Sequence, residues 1–151
     1  MFLIDTNIHA AYILKQYEND PLTVQYTTFY KQLSLKHRLV PDFILGEFET
    51  LLVQAVPSRY KLDTEEKQEL KRLVHEYIID IRRDYPLITS SEDVVRKALE
   101  IYHTNFFTRY ISFTDSLLLA LASAHQYTLL TKDQKLHVIA QQMQIPFYQP
   151  E

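Results

Sequence analysis

Four carboxylates stand where a carboxylate is expensive: Asp5 in FLIDTN, Glu47 in ILGEFE, Asp115 in SFTDSLLLALA and Asp133 in LLTKDQ. Asp5 follows the apolar run Phe2-Leu3-Ile4, and Asp133 comes two residues after Leu129-Leu130-Thr131, so both lie just past short apolar segments that read as buried strands. Glu47 sits four residues after Phe43 and four before Leu51, inside the apolar face of a helix. Glu49 lies about 200° around that helix and reads as solvated. Asp115 opens a helix that is apolar on every face from Leu117 to Ala122. Carboxylates in such places cost free energy unless something cationic neutralises them. A cluster of acids at element ends, without obvious basic partners, is the donor set that suits a hard divalent cation. A metal-dependent enzyme is therefore the first expectation. Asn7, two residues after Asp5, is placed to orient that carboxylate or a water, and Thr131 to order the loop before Asp133 or bind a water there.

Each acid also has a plainer use. Asp5, Asp115 and Asp133 can cap helices, with Thr114 competing as the cap beside Asp115, and Glu47 can pair with a distant Lys or Arg. Taken singly, none of the four is specific; their joint placement carries the expectation.

The elements that must position them alternate. Residues 2–4 read as a strand, followed by a helix through Ala10–Tyr17 capped by Thr6 or Asn7. Asn19-Asp20-Pro21 breaks it and starts a second helix. Arg38-Leu39-Val40 is a strand stopped by Pro41, and Asp42 caps a helix that Pro57 ends. After a polar loop at 57–62, Asp63 begins an amphipathic helix to about Arg83 with Leu70, Leu73, Val74, Tyr77, Ile78 and Ile81 in one stripe. Pro86-Leu87-Ile88 reads as a strand, and Ser90 or Ser91 caps a helix to about Tyr102. Residues 103–113 read as an aromatic, irregular connection before the helix Asp115–His125. Strand Thr128–Thr131, helix Gln134–Gln142 and a short strand at Phe147-Tyr148 complete the chain. Short apolar strands alternating with helices predict an α/β fold with a largely parallel sheet, whose ligands bind beyond the carboxyl ends of the strands.

Composition narrows the function classes. A chain of 151 residues predicts one domain, residues 1–151, with a core of its own. With no cysteine, disulfides and thiolate metal sites are excluded. A single glycine, Gly46, rules out glycine-rich phosphate loops. His9, His37, His75, His103, His125 and His137 form no paired ligand spacing, which argues against zinc. A net charge of −3 argues against holding duplex DNA by charge alone. No signal peptide is evident, and the longest uncharged apolar run, Leu117–Ala124, is far short of the roughly 20 residues of a membrane span. The cytoplasm is the expected location, with no membrane partner.

With those residues in view, the chain resembles the PIN-domain nucleases, most of all toxins of the VapC type. The resemblance rests on DTN after the first strand, a Glu in an apolar helix after Val-Pro-Asp, FTDSLLLALA and LLTKD, in that order, and runs from Phe2 to about Phe147. It implies a three-layer α/β sandwich with a short, mostly parallel central sheet flanked by helices. It also implies Mg²⁺- or Mn²⁺-dependent hydrolysis of single-stranded RNA, with one or two ions held by Asp5, Glu47, Asp115 and Asp133. Asn7 and Thr131 fall on the family's supporting polar positions. Asp5, Glu47 and Asp115 are assigned as principal ligands or ligand-orienters, and Asp133 as a second-metal or water-mediated ligand. The charged helix at 63–83 makes the chain longer than minimal members.

RNA would be held by cations and stacked bases. Lys132, Lys135 and Arg109 are the first cationic candidates, with Lys36 or Arg38 behind them, and Phe106, Phe107 and Tyr110 are candidate stacking groups. Toxin status implies an antitoxin partner, and a homodimer is expected. The first helices, with Tyr12, Tyr17, Tyr26 and Tyr30 as exposed candidates, are the expected groove or dimer face. The alternative function is a non-catalytic PIN-like module binding RNA or protein, disfavoured because it has no need of four acids. A phosphohydrolase with Asp5 as nucleophile is disfavoured because Asn7 stands where a second Asp is wanted.

Overall fold

The computed structural model describes residues 1–151. Four short parallel strands, β1 (Phe2–Ile4), β2 (Arg38–Pro41), β3 (Leu87–Ile88) and β4 (Thr128–Leu130), form one sheet in the order β3-β2-β1-β4. Register is fixed by Leu3 opposite both Leu39 and Leu129, and by Val40 opposite Leu87. The chain builds outward from β1 to β3, then returns to lay β4 on the other side of β1. That reversal makes the carboxyl ends of β1 and β4 the sheet's topological switch point, where the crevice of such sheets holds ligands.

Side chains alternate across the strands. Leu3 and Leu129 enter the main apolar cluster with Phe48, Leu52, Ile81 and Leu119, whereas Ile4 and Leu130 enter a smaller one with Ile8, Tyr26 and Tyr30. The sheet is thus covered on both faces, giving the three-layer α/β sandwich. The helices are α1 (Thr6–Ile13), α2 (Pro21–Gln32), α3 (Asp42–Thr50), α4 (Val56–Arg59), α5 (Thr64–Asp84), α6 (Glu92–Arg109), α7 (Phe113–His125) and α8 (Gln134–Gln142). None is long and apolar enough to cross a membrane.

Several boundaries depart from expectation for physical reasons. Pro57 does not end its helix. The chain widens into a π-helical turn over Leu51–Ala55 and continues as α4. A wider turn relieves the steric clash that proline imposes on an α-helix. Residues 103–113 are not irregular, because α6 runs on to Arg109. Its inward stripe Val94, Ala98, Ile101 and Asn105 stays buried, and Asn105 Nδ2 donates back to the Ile101 carbonyl. The break comes at Tyr110, which adopts the left-handed region at φ 52°. Phe147 makes only an isolated bridge to Leu129 rather than a strand. α1 begins at Thr6 and stops at Ile13, short of Tyr17.

A buried polar chain ties the layers together. His9 Nδ1 bonds the Tyr77 hydroxyl at 2.9 Å, Tyr77 bonds Tyr30 at 2.7 Å, Tyr30 bonds Tyr85 at 3.0 Å, and Arg38 Nη1 donates to Tyr85 at 2.7 Å. Burial, and secondarily the charge of Arg38, push the His9 imidazole down to about 3, so the ring is neutral. Tyr26 and Tyr30 are fully buried here, and Arg38 is buried against the carbonyls of Lys31 and Leu33. None of the three offers a surface to a partner or to RNA. Tyr12 and Tyr17 are only half-buried.

Candidate active site

Asp5 leaves β1 at the crevice and occupies the cap position of α1, but its side chain makes no capping bond. Its Oδ2 instead accepts from Thr131 Oγ1 at 2.5 Å and from Asn7 Nδ2 at 2.6 Å. Asn7 also donates to Thr131 Oγ1 at 2.9 Å and accepts the Lys132 amide at 3.0 Å. Thr131 Oγ1 accepts the Asp133 amide at 3.0 Å, so one hydroxyl links the loops that carry two of the acids. Asn7 and Thr131 thus both hydrogen-bond the Asp5 carboxylate, and neither caps a helix.

Glu47 projects from α3, and its Oε2 accepts from Thr6 Oγ1 at 2.5 Å. Thr6 was expected only as a possible helix cap, and its carboxylate partner lies 41 residues away. Asp115 Oδ2 accepts the Ser112 amide at 2.8 Å while Ser112 Oγ accepts the Asp115 amide at 3.0 Å, a reciprocal capping box for α7. Ser112, not Thr114, is the cap, and the Ser-x-x-Asp spacing was the signal available for it. Asp133 Oδ1 accepts the Lys135 amide at 2.7 Å and caps α8. The capping uses foreseen for Asp115 and Asp133 are thus both realised. His137, also unforeseen, bonds the Thr131 carbonyl through Nε2 at 2.9 Å and steadies the loop from below.

One oxygen of each acid is thereby fixed, and the other takes no hydrogen bond from the protein: Asp5 Oδ1, Glu47 Oε1, Asp115 Oδ1 and Asp133 Oδ2. None of the four forms a salt bridge. They act on one another electrostatically instead. Burial raises the Asp5 carboxyl to about 7, helped by repulsion from Asp115, Glu47 and Asp133 and opposed by the Thr131 hydrogen bond. Burial also raises Glu47, with Asp115 adding to it, and raises Asp115, with Asp133 adding to it. No three acidic or histidine side chains converge tightly enough to chelate an ion unaided as they stand. The donor set nonetheless fits a hard cation of the Mg²⁺ kind, which takes one or two carboxylates and keeps several waters. Unpaired, mutually repelling oxygen donors with their orientation already fixed are what such an ion requires.

The cationic candidates separate. Lys132 Nζ bonds Glu18 at 2.9 Å and Thr23 Oγ1 at 3.0 Å, so its ammonium braces the α1–α2 connection and does not serve the crevice. Lys135 has no acidic partner, yet its charge reaches Asp115 and slightly opposes the rise of that carboxyl. Arg109 bonds two neutral amides, Asn105 Oδ1 and Gln142 Oε1, each at 3.1 Å. Lys36 is exposed on a 3₁₀ turn, Leu35–His37.

A family model shows which family the chain belongs to. Residues 2–142 match the PIN domain, and the chain belongs to that family, whose domains are generally nucleases. Solved structures share the fold at low identity. FitAcB from Neisseria gonorrhoeae aligns with TM-score 0.68 and 17% identity over 99% of this chain and 98% of that one. A FitAB complex bound to an IR36 DNA fragment aligns at 0.70 and 17%, over 98% and 94%. VapC20 from Mycobacterium tuberculosis, described as a sarcin-ricin loop cleaving toxin, aligns at 0.65 and 16%, over 92% and 95%. No curated protein matches the sequence.

Proposed function

We propose that this chain is a metal-dependent endoribonuclease, hydrolysing phosphodiester bonds of single-stranded RNA as the toxin of a toxin–antitoxin pair. The observation that carries the reading is the crevice itself: four acids from four separate segments, unpaired by any cation, each with one oxygen held and one left open. A structural capping role accounts for Asp115 and Asp133 but not for burying Asp5 and raising it to about 7. The RNA preference is drawn from VapC20, whose fold this chain shares.

With waters completing its shell, a first ion would be held by Asp5, Glu47 and Asp115, some of them through water, and Asp133 would act on a second ion or through water. When bound, Mg²⁺ or Mn²⁺ would polarise the scissile phosphate, acidify water for attack and stabilise the leaving 3′-oxygen. The protein's own work is orientation. Thr131 and Asn7 fix Asp5, Thr6 fixes Glu47, and the two capping bonds fix Asp115 and Asp133.

Two surfaces suit the proposed partners. A groove of about 560 Å³ lies between the end of α1 and the start of α5, with Ile13, Leu14, Tyr17 and Leu70 in its wall and Glu65 and Glu69 at its edge. It suits an apolar, basic segment of an antitoxin. A homodimer would use α6, where Val95, Leu99, Tyr102 and Phe106 form a second apolar stripe beside the buried one. Val95, Leu99 and Phe106 are 36%, 44% and 37% exposed.

The deciding experiment pairs Mn²⁺ calorimetry with cleavage of single-stranded RNA by wild type, Asp5→Asn and Asp115→Asn. Both substitutions are expected to abolish cleavage with the fold intact. Undiminished cleavage by the double variant, or no Mn²⁺ bound by wild type at millimolar concentration, would overturn the proposal.

A further inference from the structure

Tyr110 is an aromatic side chain in an unusual position. It ends α6 with φ 52° and ψ 54°, a left-handed conformation that glycine adopts freely and a bulky residue does not. Its ring is 79% exposed, so apolar burial does not compensate. Lys61, Gln126 and Gln144 share that backbone region, so what sets Tyr110 apart is an exposed aromatic ring there. Beside the ring lies an open hollow of about 430 Å³, lined with Arg109, Lys135, Gln134 and Val138.

Two walls of this hollow are tied directly to the acidic crevice. Two residues after Tyr110, the Ser112 amide donates to Asp115 at 2.8 Å. On the opposite wall, the amide of Lys135 itself donates to Asp133 at 2.7 Å. The backbone segments that carry the ring and the ammonium are therefore anchored by the same hydrogen bonds that hold two of the acids. Lys135 forms no salt bridge and Arg109 bonds only neutral amides, so both charges remain available to a phosphate. An exposed aromatic face combined with unpaired cations is the arrangement by which proteins hold an unpaired nucleotide.

We propose that Tyr110 and Lys135 form a subsite for one unpaired nucleotide of the RNA strand crossing the crevice, its base stacked on the tyrosine and its phosphate held by the lysine. The proposal deepens the ribonuclease reading and rests on it for the identity of the strand. A base clamped there fixes the backbone on the Asp115–Asp133 side, and selects single strands because a paired base has no free face. Tyr110 is a positioning residue in this account and Arg109 a supporting charge.

The test uses a short single-stranded RNA carrying one 2-aminopurine, titrated with Ca²⁺ in place of Mg²⁺ to keep the strand uncut. Wild type is expected to quench the probe, and Tyr110→Phe to match it within about twofold. Tyr110→Gly is expected to abolish quenching and weaken binding by about tenfold or more. Its thermal midpoint is expected to hold or rise, since glycine relieves the backbone. Loss of affinity with no loss of stability is a pairing that a merely structural tyrosine would not give. Lys135→Ala is expected to retain quenching while the slope of log affinity against log salt falls by about 0.7. Wild-type binding and quenching by Tyr110→Gly, equal competition by fully paired RNA, or no binding by wild type would each overturn the subsite. Cleavage in Mg²⁺ separates the two readings. A protein that cuts RNA but is indifferent to Tyr110→Gly loses only the subsite, and one that stacks the probe on Tyr110 but never cuts loses only the nuclease reading.

Discussion

Thr131 donates its hydroxyl to Asp5 across the crevice at 2.5 Å, joining the ends of β1 and β4. The same oxygen accepts the Asp133 amide, so a side chain with no acid–base chemistry of its own sets the distance between two acids. Thr131→Val keeps the shape of this fully buried residue and removes the donor. Mn²⁺ affinity by calorimetry is expected to fall about tenfold or more, and Thr131→Ser to restore most of it. Unchanged affinity in the valine variant would remove Thr131 from the site.

The pH dependence of stability without metal carries a sign that one substitution exposes. Asp5 has a folded value of about 7 against 3.8, so its contribution is fully present below 3.8 and lost as pH rises through 7. His9 has a folded value of about 3 against 6.5, so its contribution is present above 6.5 and lost as pH falls toward 3. The two slopes oppose each other between these limits. In chelator, Asp5→Asn removes the first and leaves the second. The variant is expected to gain stability steadily from about pH 4 to 6.5 and to exceed wild type at pH 8 by on the order of 3 kcal/mol. Denaturant melts that run parallel for the two proteins would refute the burial of a repelled carboxyl.

Lys132 and Lys135 lie on either side of Asp133 and should behave oppositely. Lys132→Met breaks a mostly buried contact with Glu18 and Thr23, and is expected to cost about 1–3 kcal/mol with KM for RNA nearly unchanged. Lys135→Met is expected to raise KM several-fold with stability within about 0.5 kcal/mol of wild type. A swap of these outcomes would reverse the assignment.

Leu99→Glu tests the exposed stripe of α6. The substitution places charge amid Val95, Tyr102 and Phe106 and is expected to convert a dimer to monomer in light scattering, with the circular dichroism of the fold retained. A wild-type monomer at micromolar concentration would remove this surface from consideration.

The carboxyl ends of β1 and β4 were readable from the sequence, because short apolar runs halted by an acid have few other meanings. Glu47 and Asp115 were read differently, from a place on an apolar helix face and from the start of an apolar helix. The supports of the four acids were less readable. The role of Thr6 depends on a glutamate 41 residues away, and that of Thr131 on an aspartate 126 away, separations that no local pattern encodes. α6 was read too short because FFTRY carries aromatic and β-branched residues, while the burial of Ile101 and Asn105 that sustains the helix is tertiary. Pro57 was read as a stop because a π-helical turn leaves no signature beyond the proline it accommodates. Lys132 looked free because Glu18 and Thr23 approach it only once α2 folds back over the β4 loop.

The late arrival of β4 has a bearing on biosynthesis. Asp5 emerges early, but the hydroxyl that orients it and the loop that ends in Asp133 are made more than a hundred residues later. A nascent or truncated chain lacking β4 has Asp5, Glu47 and Asp115 without the bond that sets the first of them, and lacks the lysine of the hollow. On the proposed reading, chains that stop before β4 are expected to lack cleavage activity. A chain proposed to cut RNA therefore completes the support of its acidic centre only after β4 has been made.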